Sequence, residues 1–137
     1  MGDIESLKLI HPELSYRIVG ILCDVYNTLG FGYQEKYYYK AIKEELRNNG
    51  LLFKEQAHIP LQYKDANIGR YFVDFIVDNK IVLEIKKGDR FSKTNIEQTY
   101  AYLKATGLQL GILVNFTSDG IEFRKVLNLD SYIRKNS

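Results

Sequence analysis

The chain has 137 residues, of which 45% are hydrophobic and 26% are charged, and its formal net charge is +2. This length and composition predict one globular domain with a hydrophobic core. The single cysteine, Cys23, excludes an internal disulfide. No apolar run reaches the roughly 18 residues that a membrane helix needs, and the N-terminus lacks the basic and apolar segments of a secretory signal. We therefore expect a cytoplasmic protein that does not associate with membranes.

The first third of the sequence predicts two helices. Between Pro12 and Leu29 the apolar residues recur with helical spacing, proline suits the first turn, and Gly30 suits the end. After a short break, a second helix is expected from about Tyr33 to Asn48, where Asn-Asn-Gly ends it.

The remainder predicts strands with one intervening helix. Alternating or continuous apolar patterns indicate strands over residues 51–63, 71–77, 81–87, 108–116 and 121–127. Pro60 indicates an edge strand or a bulge. The helix is expected to begin near Ser92 and to end near Thr106. Ser92 or Thr94 could cap it, and Thr94 with Glu97 fits a capping box.

These elements follow the order ααβββαββ. The first three strands should form an antiparallel meander, and a right-handed crossover through the third helix should make the fourth strand parallel to the third. The fold class is then α/β, with a mixed β-sheet flanked by helices. With no repeats or linkers, residues 1–137 read as a single domain whose core is about 13–127. Residues 1–11 and 128–137 are expected to be peripheral, and the last seven are expected to be frayed or loosely helical.

Residues 71–89 read YFVDFIVDNKIVLEIKKGD, a β-rich hairpin that nevertheless carries Asp74, Glu84 and Lys86. Charged groups are costly in an apolar sheet unless they are paired or bind an ion. Glu84 and Lys86 share a face because side chains alternate along a strand. Whether Asp74 joins them depends on the length of the turn between the strands.

A two-residue turn would place Asp74 on the opposite face from Glu84. A three-residue loop, residues 78–80, pairs Val77 with Ile81 and places the two carboxylates opposite each other. We expect the three-residue loop or an equivalent bulge, because Asn79 tolerates the left-handed conformation that such a loop needs. One face of the hairpin would then carry Phe72, Asp74, Ile76, Val82, Glu84 and Lys86.

Two adjacent carboxylates repel each other, so one of them stays protonated unless a cation lies between them. Mg²⁺ (or Mn²⁺) suits such oxygen ligands, because it takes one or two carboxylates and completes its shell with water or phosphate. A lysine beside this metal could reach a water molecule or a phosphate oxygen, which suits phosphodiester hydrolysis. The alternative is a structural salt bridge on a partly exposed sheet face, since the pattern E-x-K is common in strands.

The arrangement of Asp74 followed by Glu84-Ile85-Lys86 on the next strand resembles the signature of the PD-(D/E)XK nucleases. The following helix carries Gln98 and Tyr102, four residues apart, which resemble the Q-x-x-x-Y motif of RecB-like members. Upstream, GYQEKYY matches the motif of the small GxxExxY protein family, which is grouped with these nucleases. The resemblance covers about residues 13–127, with further matches at 59–60, 102–107 and 111–116.

The resemblance implies a restriction-endonuclease-like core and a set of site residues. Asp74 and Glu84 would bind the metal, with the backbone carbonyl of Ile85 as a further ligand. Lys86 would be the catalytic lysine. Glu35 would be an additional acidic residue, bound to the metal directly or through water; its alternative role is a first-turn carboxylate that the helix dipole favours.

Other residues would orient the site or contact nucleic acid. Gln98 and Tyr102 are implied in these roles, although the first could be solvated and the second could belong to the core. Val73 stands where the signature has proline, and Phe72 stands where a basic residue is expected, so Arg70 becomes the candidate phosphate contact. A basic cluster beside the site suits a phosphate track or a solvated loop: Lys86, Lys87, Arg90 and Lys93.

The sequence therefore predicts divalent-metal-dependent hydrolysis of phosphodiester bonds, with DNA favoured over RNA as the substrate. One alternative is a nucleic-acid-binding module on a nuclease fold with little or no catalysis. Another is an interaction protein, for example a homodimer, in which the carboxylates are structural. Metal binding separates the last of these from the other two, because a structural salt bridge needs no cation.

Overall fold

Two helices precede the sheet within the part of the chain that the structure describes. The structure is a computed structural model that describes residues 10–88 and 92–128. Helix α1 spans Pro12–Leu29 and ends at Gly30, where φ is 73°, a value that glycine adopts without strain. Helix α2 spans Glu35–Asn48, two residues shorter at its start than predicted, and buries Tyr38, Ile42 and Leu46. The Tyr38 hydroxyl donates to the Gly30 carbonyl at 2.6 Å, which ties the start of α2 to the end of α1.

Five strands form one mixed sheet whose spatial order is the chain order. Strand β3 pairs with β4 in parallel, and the other neighbouring pairs are antiparallel. Helix α3, Lys93–Thr106, connects the parallel pair. The predicted α/β class and the order ααβββαββ are confirmed, and β1 is an edge strand as Pro60 indicated. The strands are β1 (Phe53–Tyr63), β2 (Ala66–Val77), β3 (Ile81–Lys87), β4 (Leu110–Thr117) and β5 (Gly120–Leu127).

Helices cover both faces of the sheet. Helices α1 and α2 pack on one face with Phe75, Ile85 and Phe116. Helix α3 packs on the other face, where Tyr102 and Leu103 contact a smaller cluster that includes Val82 and Leu113. No helix among residues 10–88 and 92–128 is long and apolar enough to cross a bilayer.

Two expectations about element ends are corrected. The α3 capping box joins Ser92 and Asn95, whose side chains bond each other's backbone N–H, so the Thr94–Glu97 box was wrong. Ile10 and Asn128 fall in segments expected to be peripheral, yet both are buried. Asn128 donates to backbone carbonyls at the end of α3 and in the loop that follows it. The expected conformation of the last seven residues lies outside the described residues.

Gly111 allows α3 to approach the sheet. A Cβ atom at this position would lie 2.7 Å from the Cγ2 atom of Thr99 and would also contact Leu103. Thr99 is buried in the middle of α3, so neither partner can move away without shifting the helix. Because Tyr102 lies on the same helix, this close contact also sets the position of Tyr102 beneath the sheet.

We predict that Gly111→Ala lowers the free energy of unfolding by about 1–3 kcal/mol through overpacking. Gly20→Ala is the matched control, since Gly20 is exposed on α1 and no atom lies within 4 Å of its added Cβ. This substitution should raise the free energy of unfolding by about 0.5–1 kcal/mol. Urea unfolding of both variants measures the difference. A Gly111→Ala protein as stable as the wild type would contradict this account of the α3 contact.

Candidate active site

The turn between β2 and β3 sets the position of the two carboxylates. Val77 pairs with Ile81, as the three-residue loop requires, so that prediction is confirmed. Asp78 and Asn79 both adopt left-handed conformations, with φ of 52° and 54°. Aspartate and asparagine tolerate this region better than other residues with a side chain. The register continues to Phe75 opposite Leu83. The next residue beyond this pair is Asp74 on β2 and Glu84 on β3.

At Asp74 and Glu84 the ladder bonds are replaced by side-chain bonds. The backbone N–H of Asp74 donates to Glu84 Oε1 at 2.6 Å. The backbone N–H of Ile85 donates to Asp74 Oδ2 at 2.8 Å. Each carboxylate therefore occupies the place of a strand carbonyl, and each keeps a second oxygen, Oδ1 or Oε2, that these two bonds do not use.

The side chains of β2 change faces at this point. Val73 packs in the cluster under α3, whereas Phe75 packs in the cluster under α1 and α2. Regular alternation would put both on one face. The prediction that Phe72 shares a face with Ile76 and Val82 was therefore wrong, and Phe72 is half exposed. The physical reason is the replacement of the ladder by carboxylate bonds, which frees β2 from regular pleating.

Gln56 is a site residue that sequence reasoning missed. It lies in the middle of β1 with φ of 47°, between the pairs Glu55–Phe75 and Ala57–Val73, and so opposite Asp74. A left-handed non-glycine residue within a strand is strained, and such strain clusters at functional sites. The Gln56 side chain also hydrogen-bonds to the Asp74 carboxylate, which offsets part of the rise in pKa that burial causes there. An isolated glutamine in a strand carries no sequence signal for this role.

The protonation of the carboxylates follows from their burial. Glu84 is 5% exposed, and burial, followed by the charge of Asp74, raises its pKa to about 7. Burial also raises the pKa of Asp74, against the hydrogen bond from Ile85 and the charge of Lys86. The Lys86 ammonium lies 3.9 Å from Glu84 Oε2. The ionisable groups of Asp74, Glu84 and Lys86 thus lie together in a partly enclosed part of the sheet.

Glu35 is the first residue of α2 and faces the same place. Burial raises its pKa, opposed by the charge of Lys86 and reinforced by that of Asp74, and the backbone N–H of Lys87 hydrogen-bonds to it. A cavity of about 390 Å³ opens beside these groups. Its lining residues are Glu35, Lys36, Tyr39, Lys40, Lys43, Glu55, Gln56, Asp74 and Ile85.

The α3 residues expected at the site have different environments. Tyr102 is buried, its ring contacts Tyr71 at 4.7 Å, and burial followed by the charge of Glu84 raises its pKa to about 12. Its hydroxyl therefore stays protonated and lies within the field of the carboxylates. Gln98 lies one turn earlier and is exposed.

The expected basic residues are spread around the site. Lys87 and Arg70 are exposed, and the Arg70 guanidinium lies over the Phe72 ring. Lys93 is exposed and pairs with Glu97 at 3.9 Å. Arg90 lies outside the described residues. Three lysines on α2 were missed, although their helical spacing along one cavity wall was a readable signal: Lys36, Lys40 and Lys43.

Asn115 is a further residue that supports the site. It is buried beside Lys86 in the parallel register of β3 and β4, and its Nδ2 donates to the Gly88 carbonyl at 3.1 Å. This bond holds the backbone just after Lys86, where the strand ends. An asparagine within an otherwise apolar strand was the only sequence sign of this function.

Comparison with known proteins assigns this geometry to a family. The family model of the PD-(D/E)XK nuclease superfamily matches residues 12–126. The chain belongs to the PD-(D/E)XK nuclease superfamily. Within this matched range, the structure brings Asp74, Glu84 and Lys86 together at the end of the β2–β3 ladder.

Solved structures share the nuclease fold at low sequence identity. One, titled "Crystal structure of SSO0001", has a TM-score of 0.54 and 18% identity, over 97% of this chain and 68% of that chain. An alkaline exonuclease (LHK-Exo) from Laribacter hongkongensis has a TM-score of 0.53 and 13% identity, over 91% of this chain and 74% of that chain. No curated protein matches the sequence. At these identities the likeness establishes the fold of this PD-(D/E)XK chain.

We predict that the metal-free protein, in EDTA, becomes less stable as pH rises from about 5 to about 8. The folded-state pKa of Glu84, about 7, lies above its ordinary value of 4.5. The stabilising effect of its protonation is therefore complete below pH 4.5 and is lost as pH rises through 7. Asp74, whose pKa is also raised, acts in the same direction. Urea unfolding across this range measures the slope, and Glu84→Gln should flatten it. An equal slope in the variant would contradict the assignment.

We also predict that Gln56→Gly is more stable than Gln56→Ala by about 1 kcal/mol. Both variants lose the bond to Asp74, but only glycine adopts a φ of 47° without strain. Thermal unfolding of the two proteins side by side gives the difference. Equal stability would mean that β1 relaxes to a regular strand when the glutamine is removed.

Proposed function

We propose that the protein is a divalent-metal-dependent nuclease that hydrolyses phosphodiester bonds of DNA. Membership of the nuclease superfamily supports hydrolysis of nucleic acid. The observation that carries the proposal is the pair of carboxylates at the end of the β2–β3 ladder. Glu84 Oε1 accepts from the Asp74 N–H at 2.6 Å, and Asp74 Oδ2 accepts from the Ile85 N–H at 2.8 Å. The Lys86 ammonium lies 3.9 Å from Glu84 Oε2. Burial, followed by the charge of Asp74, raises the pKa of Glu84 to about 7, and perturbed carboxylates of this kind cluster at functional sites.

The donor set fits a hard cation of the Mg²⁺ or Mn²⁺ type. Asp74 and Glu84 each keep one oxygen outside the backbone bonds, and the Ile85 carbonyl follows between Glu84 and Lys86. Within the described residues, no three histidine, cysteine, aspartate or glutamate side chains are grouped to hold a metal. Mg²⁺ keeps several waters and takes only one or two carboxylates, so the pair suffices. Glu35 would then act through water. When bound, the metal supplies an activated water and neutralises phosphate charge.

The remaining polar groups have roles that their positions support. The Lys86 ammonium would hold the attacking water or the charge that develops on the phosphate. Tyr102, protonated up to about pH 12, would donate a hydrogen bond and keep Glu84 oriented from below. Gln56 would hold Asp74 from the side of β1. Gln98 would orient the site from α3.

Exposed cations support a nucleic-acid path to these groups. Lys87 lies next to Lys86, and Arg70 and Lys93 are further phosphate contacts in this proposal, with Arg90 completing the cluster. We assign the chain to the GxxExxY group on its GYQEKYY segment, place it in the cytoplasm, and retain a homodimer as its candidate assembly.

The testing experiment is cleavage of a panel of supercoiled plasmid, single strands, forks, four-way junctions and RNA. Each is incubated with Mg²⁺, Mn²⁺ or EDTA. We predict metal-dependent cutting that falls roughly 100-fold or more in Lys86→Ala. Lys80→Ala is the matched control, because the Lys80 side chain is exposed in the β2–β3 turn, where its ammonium pairs with Asp78. Equal cutting by wild type and Lys86→Ala would identify a contaminant.

Metal binding has an independent readout in stability. At pH 8 we predict that Mg²⁺ or Mn²⁺ raises the melting temperature of the wild type. At a free metal concentration of 100 times the dissociation constant, binding should add about 2.7 kcal/mol to the free energy of unfolding. Glu84→Gln should show no such rise, because a neutral amide replaces the charged ligand. If the metal leaves the wild-type melting temperature unchanged and no substrate is cut, the carboxylates are structural and the proposed chemistry is wrong.

A further inference from the structure

Three large aromatic side chains are exposed where the chain enters α2. Phe31, Tyr33 and Tyr37 are 45%, 44% and 45% exposed, and we call them the aromatic rim. Tyr33 contacts Tyr37 edge-on, with ring centroids 6.4 Å apart, and also contacts the fully buried Tyr38. Tyr33 is therefore anchored to the core through Tyr38, so that Tyr33 and its neighbour Tyr37 need little ordering when a ligand binds.

Cations border the rim on two sides. The Lys87 Nζ atom lies 5.2 Å from the centroid of the Phe31 ring, and the Lys36 Nζ atom lies 5.2 Å from that of Tyr37. Both distances are within the range of cation–π contacts. Alternation of flat apolar rings with positive charges is complementary to a polyanion that carries flat rings of its own.

The rim adjoins the candidate active site. Glu35 lies between Tyr33 and Tyr37 in the chain, and it lines the same cavity as Asp74. Lys87, which contacts Phe31, follows Lys86 directly and hydrogen-bonds to Glu35 through its backbone. A strand whose phosphate reaches Lys86 would therefore bring its neighbouring bases to the rim.

We propose that the aromatic rim stacks the unpaired bases of single-stranded nucleic acid, so that the substrate is a single strand or an unpaired end. In a duplex the base faces are covered by their neighbours, whereas unpaired bases offer both faces to aromatic side chains. This inference rests on the proposed nuclease function, because it uses the position of the rim beside Glu35 and Lys86. It adds a substrate class that the carboxylates themselves do not select.

The test is the binding of a fluorescent oligonucleotide, measured by anisotropy in EDTA so that no cutting occurs. The probe is used as a single strand and as a blunt duplex of the same sequence. We expect the wild type to bind the single strand more tightly, and Phe31→Ala and Tyr37→Ala each to weaken that binding about tenfold. Duplex binding, which depends on phosphate contacts, should change little.

Two further variants separate stacking from folding. Tyr37→Phe keeps the ring and should recover the binding that Tyr37→Ala loses, whereas Tyr37→Leu keeps apolar area without a flat ring and should not. Tyr16→Ala is the matched control, since Tyr16 is an exposed tyrosine on α1. Circular dichroism of each variant confirms that the fold is retained.

The outcomes distinguish the rim from the nuclease chemistry. If the wild type cuts a substrate with metal but the rim variants bind single strands normally, the rim proposal is overturned and the nuclease proposal stands. If the rim variants lose single-strand binding but the wild type never cuts, the rim stands and the catalysis falls. If the substitutions instead change the mass measured by light scattering, the rim joins two copies of the chain and the stacking proposal is overturned.

Discussion

The exchange of hydrogen bonds between Asp74 and Glu84 is the constraint on which the rest of the structure depends. Two strands that should pair through backbone carbonyls pair instead through carboxylates, each accepting the N–H of the other strand. These hydrogen bonds offset part of the solvation that the carboxylates lose on burial, but burial still raises the pKa of both groups. The sheet therefore carries an unfavourable charge at its centre, and its neighbours are arranged around it.

The supporting elements come from both faces of the sheet. On the face covered by α3, Val82, Tyr102 and Leu113 form a buried apolar cluster. Helix α3 can pack this closely because position 111 is a glycine. On the other face, Tyr38 stacks on Phe116 with ring centroids 4.2 Å apart and holds the start of α2. Glu35 is fixed by that contact, because it is one turn away from Tyr38. Rigid packing thus positions acidic groups that would otherwise move apart.

Much of the fold was readable from the sequence, because local patterns dictate it. Helical spacing, turn residues and β-branched runs gave the order of the elements, and Asn79 gave the loop that brings Asp74 opposite Glu84. The change of faces at Asp74 was not readable, since it arises from bonds between strands and not from either strand alone. The same holds for Gln56, whose left-handed backbone lies opposite Asp74 and has no signal in the β1 sequence. The Ser92–Asn95 cap was missed because the capping-box motif specifies Glu or Gln at the position that Asn95 occupies.

The pair of carboxylates also explains why stability and chemistry are opposed here. Without a cation, the pair is most stable when the buried Glu84 carries a proton, which neutralises one of two adjacent charges. A divalent cation would replace that proton with a larger positive charge at the same oxygens, so proton and metal would compete for one place. The strained backbone of Gln56 also serves to hold the acidic oxygens in place, because a β1 strand of regular geometry would turn the Gln56 amide away from Asp74. Local instability is therefore a consequence of holding acidic oxygens where a cation and a phosphate could meet.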